Sequence, residues 1–177
     1  MCIRDSINTH IDGSYERIAR AIDTPSLQLV GNRREAKKYL FSRVVMALLT
    51  GNGDLHLGNL SIRGWGEGAH FSPVYDPTPM RAYSRHNMLC PIPFGDYGDY
   101  NRGGRHITGL GEALINFAHN LGLQQQKAWQ YVSELLQVTA DYPERIDALE
   151  TLPGEHKERL KGVARKMHNV LSSIVDS

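Results

Sequence analysis

The strongest constraint on the fold is a change of apolar periodicity at Gly51. Upstream, from about Arg33 to Thr50, apolar residues recur every three or four positions, which predicts a long helix buried on one side. Downstream of Leu60, apolar and polar residues alternate on both sides of the glycine-rich run 64–68, which predicts two strands joined by a turn. The chain must therefore place a buried helix directly before a β-hairpin.

Further helices are predicted on both sides of this unit. Ser14 can cap a short helix that ends at Asp23-Thr24-Pro25. Residues 77–111 are rich in Pro and Gly and predict a long loop, and the later helices are predicted over 111–120, 124–140, a short stretch from Pro143, and 155–174. The apolar face of the helix over 124–140 is predicted to hold Ala128, Tyr131, Val132, Leu135, Leu136 and Val138. The predicted fold class is α+β, mostly α, with one small hairpin.

Composition excludes several classes of protein. The 177 residues carry 20 basic and 19 acidic side chains, so no excess charge directs the chain to nucleic acid. Cys2 and Cys90 fit neither a disulfide framework nor a zinc site. No apolar run approaches the length of a membrane span, and the start lacks the apolar core of a signal peptide. We expect a cytoplasmic protein that contacts neither a membrane nor, directly, nucleic acid.

The chemistry is concentrated between the long helix and the hairpin. Asn52, Asp54, His56 and Asn59 alternate there with small or apolar residues, and Asp76 follows the second strand. Because a hairpin returns its two ends to the same place, Asn59 and Asp76 should be neighbours. An amide oxygen and a carboxylate suit Mg²⁺, and Asp54 then remains to orient a hydroxyl and accept its proton. These are the parts needed for phosphoryl transfer.

The order Asn-x-Asp-x-His-x-x-Asn, strand, turn, strand, Ser-Pro-x-Tyr-Asp resembles the catalytic and metal-binding segments of HipA-type serine/threonine kinases, the toxins of bacterial toxin–antitoxin modules. The flanking helices around Tyr15–Ala19 and Tyr39–Val45 also resemble that family. By this resemblance Asp54 would be the catalytic base. Asn59 and Asp76 would be the Mg²⁺ ligands, and Asn52 and His56 would support the catalytic loop.

The resemblance implies a fold and a set of partners. Residues 14–177 would form the helical C-terminal lobe of a kinase-like protein that uses ATP and Mg²⁺. An antitoxin would be the partner, and the protein substrate would be one such as an aminoacyl-tRNA synthetase. Independently of the resemblance, His56 is predicted to be a buried, hydrogen-bonding histidine and not a metal ligand, because no second His lies at zinc spacing.

Two departures from the family pattern bear on activity. Gly58 stands where the family often has Lys, and the six lysines all lie in predicted helices or at their edges. The run Gly64–Gly68 joins two strands, which favours a turn over a phosphate-binding loop. We therefore expect the nucleotide-binding residues in an N-terminal lobe that these residues do not include, a non-native or disordered start over 1–13, and no activity from this chain alone.

Two other functions stay open at this stage. A small-molecule kinase of the aminoglycoside or choline type also carries Gly-Asp-Leu-His followed by Asn, but typically has His at the position of Asn52 and Ile-Asp where this chain has Tyr75-Asp76. A kinase lobe retained only for binding a partner is the second alternative. The remaining charges are predicted to be solvated: Arg81, Arg85, Arg102, Arg105 and the basic residues of the last helix. Trp129 and Tyr131 are predicted to pack in the core, and Cys90 is assigned no role.

Overall fold

Six α-helices and a two-stranded sheet form the described part of the chain, which in this computed structural model comprises residues 14–86, 90–95 and 109–176. The helices are α1 (Tyr15–Asp23), α2 (Arg33–Thr50), α3 (Leu110–Asn120), α4 (Gln125–Val138), α5 (Tyr142–Asp147) and α6 (Gly154–Val175). The strands are β1 (Ile62–Arg63) and β2 (His70–Phe71). The predicted class, mostly helical with one small hairpin, is confirmed.

The first two helices begin and end where the sequence predicts. The Ser14 hydroxyl accepts a hydrogen bond from the Arg17 amide at 3.3 Å, and the Asn32 side chain accepts one from the Glu35 amide at 3.1 Å. Gly51 ends α2 with φ of 71°, a left-handed conformation that glycine adopts without steric cost. The helix end thus delivers the chain directly into the polar segment that follows.

Helix α2 is buried on more sides than the sequence predicts. It packs against α1, α4, α6 and β2, so Phe41, Val45 and Leu49 are buried in addition to the residues at the predicted spacing of three and four, such as Leu40, Val44 and Leu48. The ring of Phe41 stacks on Phe117 of α3 at 5.9 Å between centroids. The prediction of one buried side is therefore wrong, because neighbours surround the helix. The loop that follows the C-terminal end of α2 therefore begins from a buried, well-packed helix.

The hairpin confirms the predicted strand pair but is shorter. Ile62 pairs with Phe71 and Arg63 with His70 in antiparallel register. One more hydrogen bond, from the Ser72 amide to the Ser61 carbonyl at 2.8 Å, extends the pairing. The regular alternation through Tyr75 forms no further strand, because Pro73 has no amide hydrogen to donate.

The buried face of α4 differs from the prediction at its last residue. Ala128, Val132 and Leu136 are buried, whereas Val138 is 65% exposed. The buried positions repeat every four residues, and Val138 falls off that row at the end of the helix. Trp129 and Tyr131 pack against the core, as predicted.

The segment that follows Asp76 is fastened to α2 and α6. The Arg81 amide donates to the Gly51 carbonyl at 3.2 Å, and Arg159 Nε donates to the Arg81 carbonyl at 3.2 Å. The rings of Tyr83 and His156 lie 4.5 Å apart. Part of the long predicted loop is therefore held firmly on the lobe.

One predicted solvated charge on α6 is buried instead. Lys161 Nζ lies 2.6 Å from an oxygen of Asp147 and 2.6 Å from one of Glu158. The hydrogen bond to Asp147 raises the pKa of Lys161 and lowers that of Asp147. The pair ties α6 to α5, so the prediction of a wholly exposed basic face is wrong at this residue.

Some predictions fall on residues outside the described ranges. The start over 1–13, Cys2, Arg102 and Arg105 are among them. Within the described residues, none of the helices is long and apolar enough to span a membrane.

Candidate active site

Asn52 both ends α2 and shapes the loop that follows. Its amide donates to the Ala47 carbonyl at 2.9 Å, and its side-chain oxygen accepts the Asp54 amide at 3.0 Å. The residue is buried. Asn52 thus both terminates α2 and supports the loop through its contacts.

Asn59 closes the same loop from its other end. The chain turns through a short 3₁₀ helix at Leu57–Asn59, and the Asn59 side-chain nitrogen donates to the Asp54 carbonyl at 2.7 Å. This bond orients the amide group, so its oxygen is the side-chain acceptor left for other partners. The loop is a closed unit in which Asp54 and Asn59 have a set spacing.

Asp54 lies at the partly open face of this unit. Its side chain is 30% exposed, and one of its oxygens lies 3.8 Å from His56 Nε2. Asp54 is therefore accessible to a substrate while its backbone is held at both N–H and C=O by Asn52 and Asn59.

The prediction that His56 is buried is wrong, because its side chain is 49% exposed. The ring folds back on its own loop, where Nδ1 accepts the Gly58 amide at 2.9 Å. A Cβ atom at position 58 would lie 2.7 Å from His56 Cε1, so the glycine makes room for the ring. Gly58, where the family often has Lys, therefore contacts His56 directly, and the position of the ring depends on the absence of a side chain at residue 58.

Asp76 reaches the loop through its neighbour Tyr75. The Tyr75 hydroxyl donates to the Gly58 carbonyl at 2.8 Å, which ties the residue before Asp76 to the residue before Asn59. Asp76 itself is exposed and has φ of 48°, an uncommon conformation for a residue other than glycine. The hydroxyl of Thr78 lies 3.4 Å from Asp76 Oδ1. The structure brings together the two segments that carry Asn59 and Asp76.

Three residues that support the site were not identified from the sequence. The Tyr15 hydroxyl donates to the Leu55 carbonyl at 2.5 Å, and burial raises the pKa of Tyr15 well above its ordinary value. The Tyr39 hydroxyl donates to the Ser72 carbonyl at 2.9 Å, and Arg43 Nη2 lies 3.5 Å from the Asn59 carbonyl. For the two tyrosines the sequence did offer a signal: a tyrosine at an apolar position of a helix predicts a buried hydroxyl, and a buried hydroxyl needs a hydrogen-bond partner.

The donor set favours a hard cation that keeps water and phosphate ligands. Among the described residues, no group of three or more His, Cys, Asp and Glu side chains is placed to hold a metal ion. A zinc centre of protein ligands is therefore not formed by that part of the chain. One amide oxygen and one carboxylate are sufficient for Mg²⁺, which usually takes few protein ligands. Asn59 and Asp76 supply these two oxygen types, and the hydrogen bond between Tyr75 and Gly58 brings their segments together.

Comparison with solved structures identifies a chain of similar fold. The chain superposes with a TM-score of 0.69 on a chain from the Shewanella oneidensis toxin–antitoxin complex of HipA, HipB and operator DNA. The match covers 93% of this chain and 38% of the other, at 20% sequence identity. At that identity the likeness concerns the fold alone.

Two sequence comparisons agree with it. A Haemophilus influenzae protein named "Putative kinase" is 26% identical over 173 residues, which cover 86% of this chain and 46% of that protein. The chain thus spans less than half the length of the curated relative that it matches. The model of the HipA-like C-terminal domain matches residues 4–142, the larger part of the sequence, and includes both the loop and Asp76. The chain belongs to the family of HipA-like C-terminal domains.

Proposed function

We propose that this chain is the catalytic lobe of a kinase that transfers the γ-phosphoryl group of ATP to a serine or threonine hydroxyl of a protein. Asp54 accepts the proton of that hydroxyl as its oxygen bonds to the γ-phosphorus and ADP departs. Asn59 and Asp76 hold Mg²⁺, which neutralises charge on the phosphates. Asn52 and His56 keep the loop in shape.

The observation that carries the proposal is the closed loop between Asp54 and Asn59. The 2.7 Å bond from the Asn59 side chain to the Asp54 carbonyl couples a candidate base to a candidate metal ligand within one turn of chain. Positioning of this kind is the main contribution a protein makes to phosphoryl transfer. The bond from Tyr75 to Gly58 adds Asp76 to the same unit.

The nucleotide grip is proposed to lie in another part of the full-length protein. In the described residues all six lysines are helical. In the relative from Haemophilus influenzae, the match covers 46% of the protein, and the remaining part is long enough to form a second lobe. We propose that this second lobe binds the ATP phosphates. The chain described here, on its own, should bind little ATP and transfer little phosphate.

The partners follow from the family and are proposed with the function. The Shewanella oneidensis structure holds HipA together with HipB and operator DNA. We propose an antitoxin partner for this chain as well, with contact to DNA made through that partner. An aminoacyl-tRNA synthetase is the proposed kind of protein substrate.

The test is phosphoryl transfer by this lobe joined to the N-terminal part of the Haemophilus influenzae relative. With Mg-ATP and an aminoacyl-tRNA synthetase as substrate, we expect labelled phosphate to appear on protein. Asp54→Asn should lower transfer at least about 100-fold, the scale of general-base catalysis, with nucleotide affinity nearly unchanged. Asp76→Asn should raise the Mg²⁺ concentration needed for half-maximal transfer.

Asp176→Asn is the matched control, because that carboxylate is exposed at the end of α6, on a different element from the loop. It should leave both transfer and Mg²⁺ dependence unchanged. Full transfer by Asp54→Asn would refute the assignment of the base. A fusion that binds the antitoxin yet never transfers phosphate would favour the alternative, a lobe retained for interaction.

A further inference from the structure

A groove of about 370 Å³ lies between the turn of the hairpin and the segment that connects α1 to α2. Residues 64–66 of the turn line one side, and residues 27–29 line the other. The apolar side chains in its lining are Leu27, Leu29, Ile62, Trp65 and Ala69. The groove is distinct from the candidate active site, because none of Asp54, Asn59 and Asp76 lines it.

Two large apolar side chains are exposed at this groove. Trp65 is 88% exposed and Leu27 is 41% exposed. The turn that carries Trp65 is closed by a hydrogen bond from the Gly68 amide to the Trp65 carbonyl at 3.2 Å. It is fixed to the lobe by a second bond, from the Gly31 amide to the Ala69 carbonyl at 2.8 Å. The tryptophan is therefore exposed on a well-anchored turn, and tryptophan is enriched among the residues that dominate binding energy at protein interfaces.

An acidic cavity of about 340 Å³ lies on the other side of the same turn, beside the start of α2. The carboxylates in its lining are those of Glu35 and Glu67, and His70 is the other titratable group there, apart from Tyr39. Its apolar lining comes from Ala36, Ala69 and the stacked rings of Tyr39 and Phe71. Because Ala69 lines both spaces, the groove and the acidic cavity adjoin at the hairpin.

The two carboxylates have no cationic partner within the described part of the chain. Neither takes part in an ion pair there. The arginines nearest to them in sequence, Arg33, Arg34 and Arg63, line neither the cavity nor the groove. An apolar surface thus adjoins a negatively charged one, and together they favour a ligand with a bulky apolar group next to a positive charge.

We propose that the groove and the acidic cavity bind a linear segment of a partner protein that carries an apolar side chain near a lysine or arginine. The apolar side chain packs in the groove against Trp65 and Leu27. The basic side chain enters the acidic cavity, where its charge is attracted by Glu35 and Glu67 and its aliphatic part contacts the apolar lining. This binding does not itself require the proposed kinase activity.

The position of the hairpin gives such docking a consequence. β1 follows Asn59 in the chain and β2 precedes Asp76, so the hairpin joins the two segments of the candidate site. A partner bound at the hairpin is held next to that site, and tethering of this kind raises its effective concentration there.

The test uses the full chain and a synthetic peptide, Lys-Lys-Ala-Leu-Ala-Leu-Ala-Lys-Lys with both ends blocked, which places leucine near lysine in either chain direction. Amide chemical shifts of Gln28 and His70, one at each space, are followed during titration. We expect saturable shifts at both. A peptide with serine for leucine and one with glutamate for lysine should each bind at least tenfold more weakly.

Variants at exposed positions test the contacts without disturbing the core. Trp65→Ser should weaken binding of the peptide at least tenfold, and Glu67→Gln should weaken it at least threefold. Val138→Ser and Glu134→Gln are the matched controls, because both residues lie on α4 and line neither space. They should leave the affinity unchanged.

Several results would overturn the proposal: no saturable shift, equal binding of the serine or glutamate peptide, or a Trp65→Ser variant that binds as the parent does. Sedimentation of the parent tests the other occupant, a second copy of this chain. Self-association that Trp65→Ser abolishes would assign the groove to a dimer and not to a partner segment. Phosphoryl transfer is not measured in either experiment, so the proposed function stands or fails separately.

Discussion

Tyr15 connects three separated parts of the chain through one side chain and its own amide. Its hydroxyl donates to the Leu55 carbonyl in the candidate loop and accepts from the Cys90 thiol at 3.3 Å. Its backbone amide donates to the Pro93 carbonyl at 3.2 Å. The loop that carries Asp54 is therefore held by Tyr15, which lies 40 positions before Leu55 in the sequence. A single buried hydroxyl couples α1 to the candidate site.

The thiol beside Tyr15 predicts a pH dependence of stability. Burial raises the pKa of Cys90 from 9.0 to about 11, so the folded chain keeps a proton that the unfolded chain releases. The contribution of this thiol is complete below pH 9 and is lost as pH rises toward 11. Two pKa units correspond to at most about 3 kcal/mol. Urea unfolding between pH 8 and about pH 11 should show this decline.

A variant separates Cys90 from the other groups that titrate in that range. Cys90→Ala should make the decline shallower and leave the part due to the other groups with raised pKa values, among them Tyr15, Tyr142 and Lys161, which act in the same direction. An identical decline in Cys90→Ala and the parent would show that this thiol does not titrate with folding.

At the scale of elements, apolar spacing predicts where a helix lies better than it predicts what surrounds it. The ends of α2 follow from Asn32 and Gly51, because capping and a left-handed end are local properties. Burial of Phe41 and Leu49 depends instead on partners distant in sequence. One apolar face is the minimum that a helix needs, and a central helix buries more.

Helix α4 offers a matched test of its packing face. Val132 is 1% exposed and Val138 is 65% exposed, on the same helix and with the same side chain. Val132→Ala removes two buried methyl groups and leaves a cavity, so it should lower the free energy of unfolding by about 2 kcal/mol. Val138→Ala should change it by less than about 0.5 kcal/mol. Chemical denaturation of both variants measures the difference, and equal losses would contradict this packing of α4.

For the whole molecule, the motif and its neighbours were predictable, and their supports were not. The order of Asn52, Asp54, Asn59 and the hairpin was enough to bring Asp76 back toward the loop, since strand pairing is short-range. The bonds from Tyr15 to Leu55 and from Arg43 to Asn59 join α1 and α2 to the loop across intervening structure. The apolar periodicity of the sequence does not predict such contacts, because they depend on how the elements pack in three dimensions.

One glycine shows how the lobe is joined across its length. Gly95 has φ of 51°, and its amide donates to Glu16 Oε1 of α1 at 2.6 Å. A Cβ atom at this position would overlap the carbonyl of Ala113 in α3. The segment 90–95 therefore packs between α1 and α3, where backbone approaches backbone and only glycine fits.

Substitution of Gly95 should accordingly weaken the whole lobe. Gly95→Ala forces a left-handed alanine against the backbone of Ala113, and we expect a loss of more than about 2 kcal/mol in the free energy of unfolding. Gly162→Ala is the opposite case, because Gly162 is exposed within α6 and its Cβ would meet nothing within 4 Å. It should stabilise the chain by about 0.5–1 kcal/mol, since alanine is favoured in a helix interior. Thermal unfolding of the two variants should shift in opposite directions; a midpoint of Gly95→Ala at or above that of the parent would mean that the segment 90–95 does not join α1 to α3 as the structure has it.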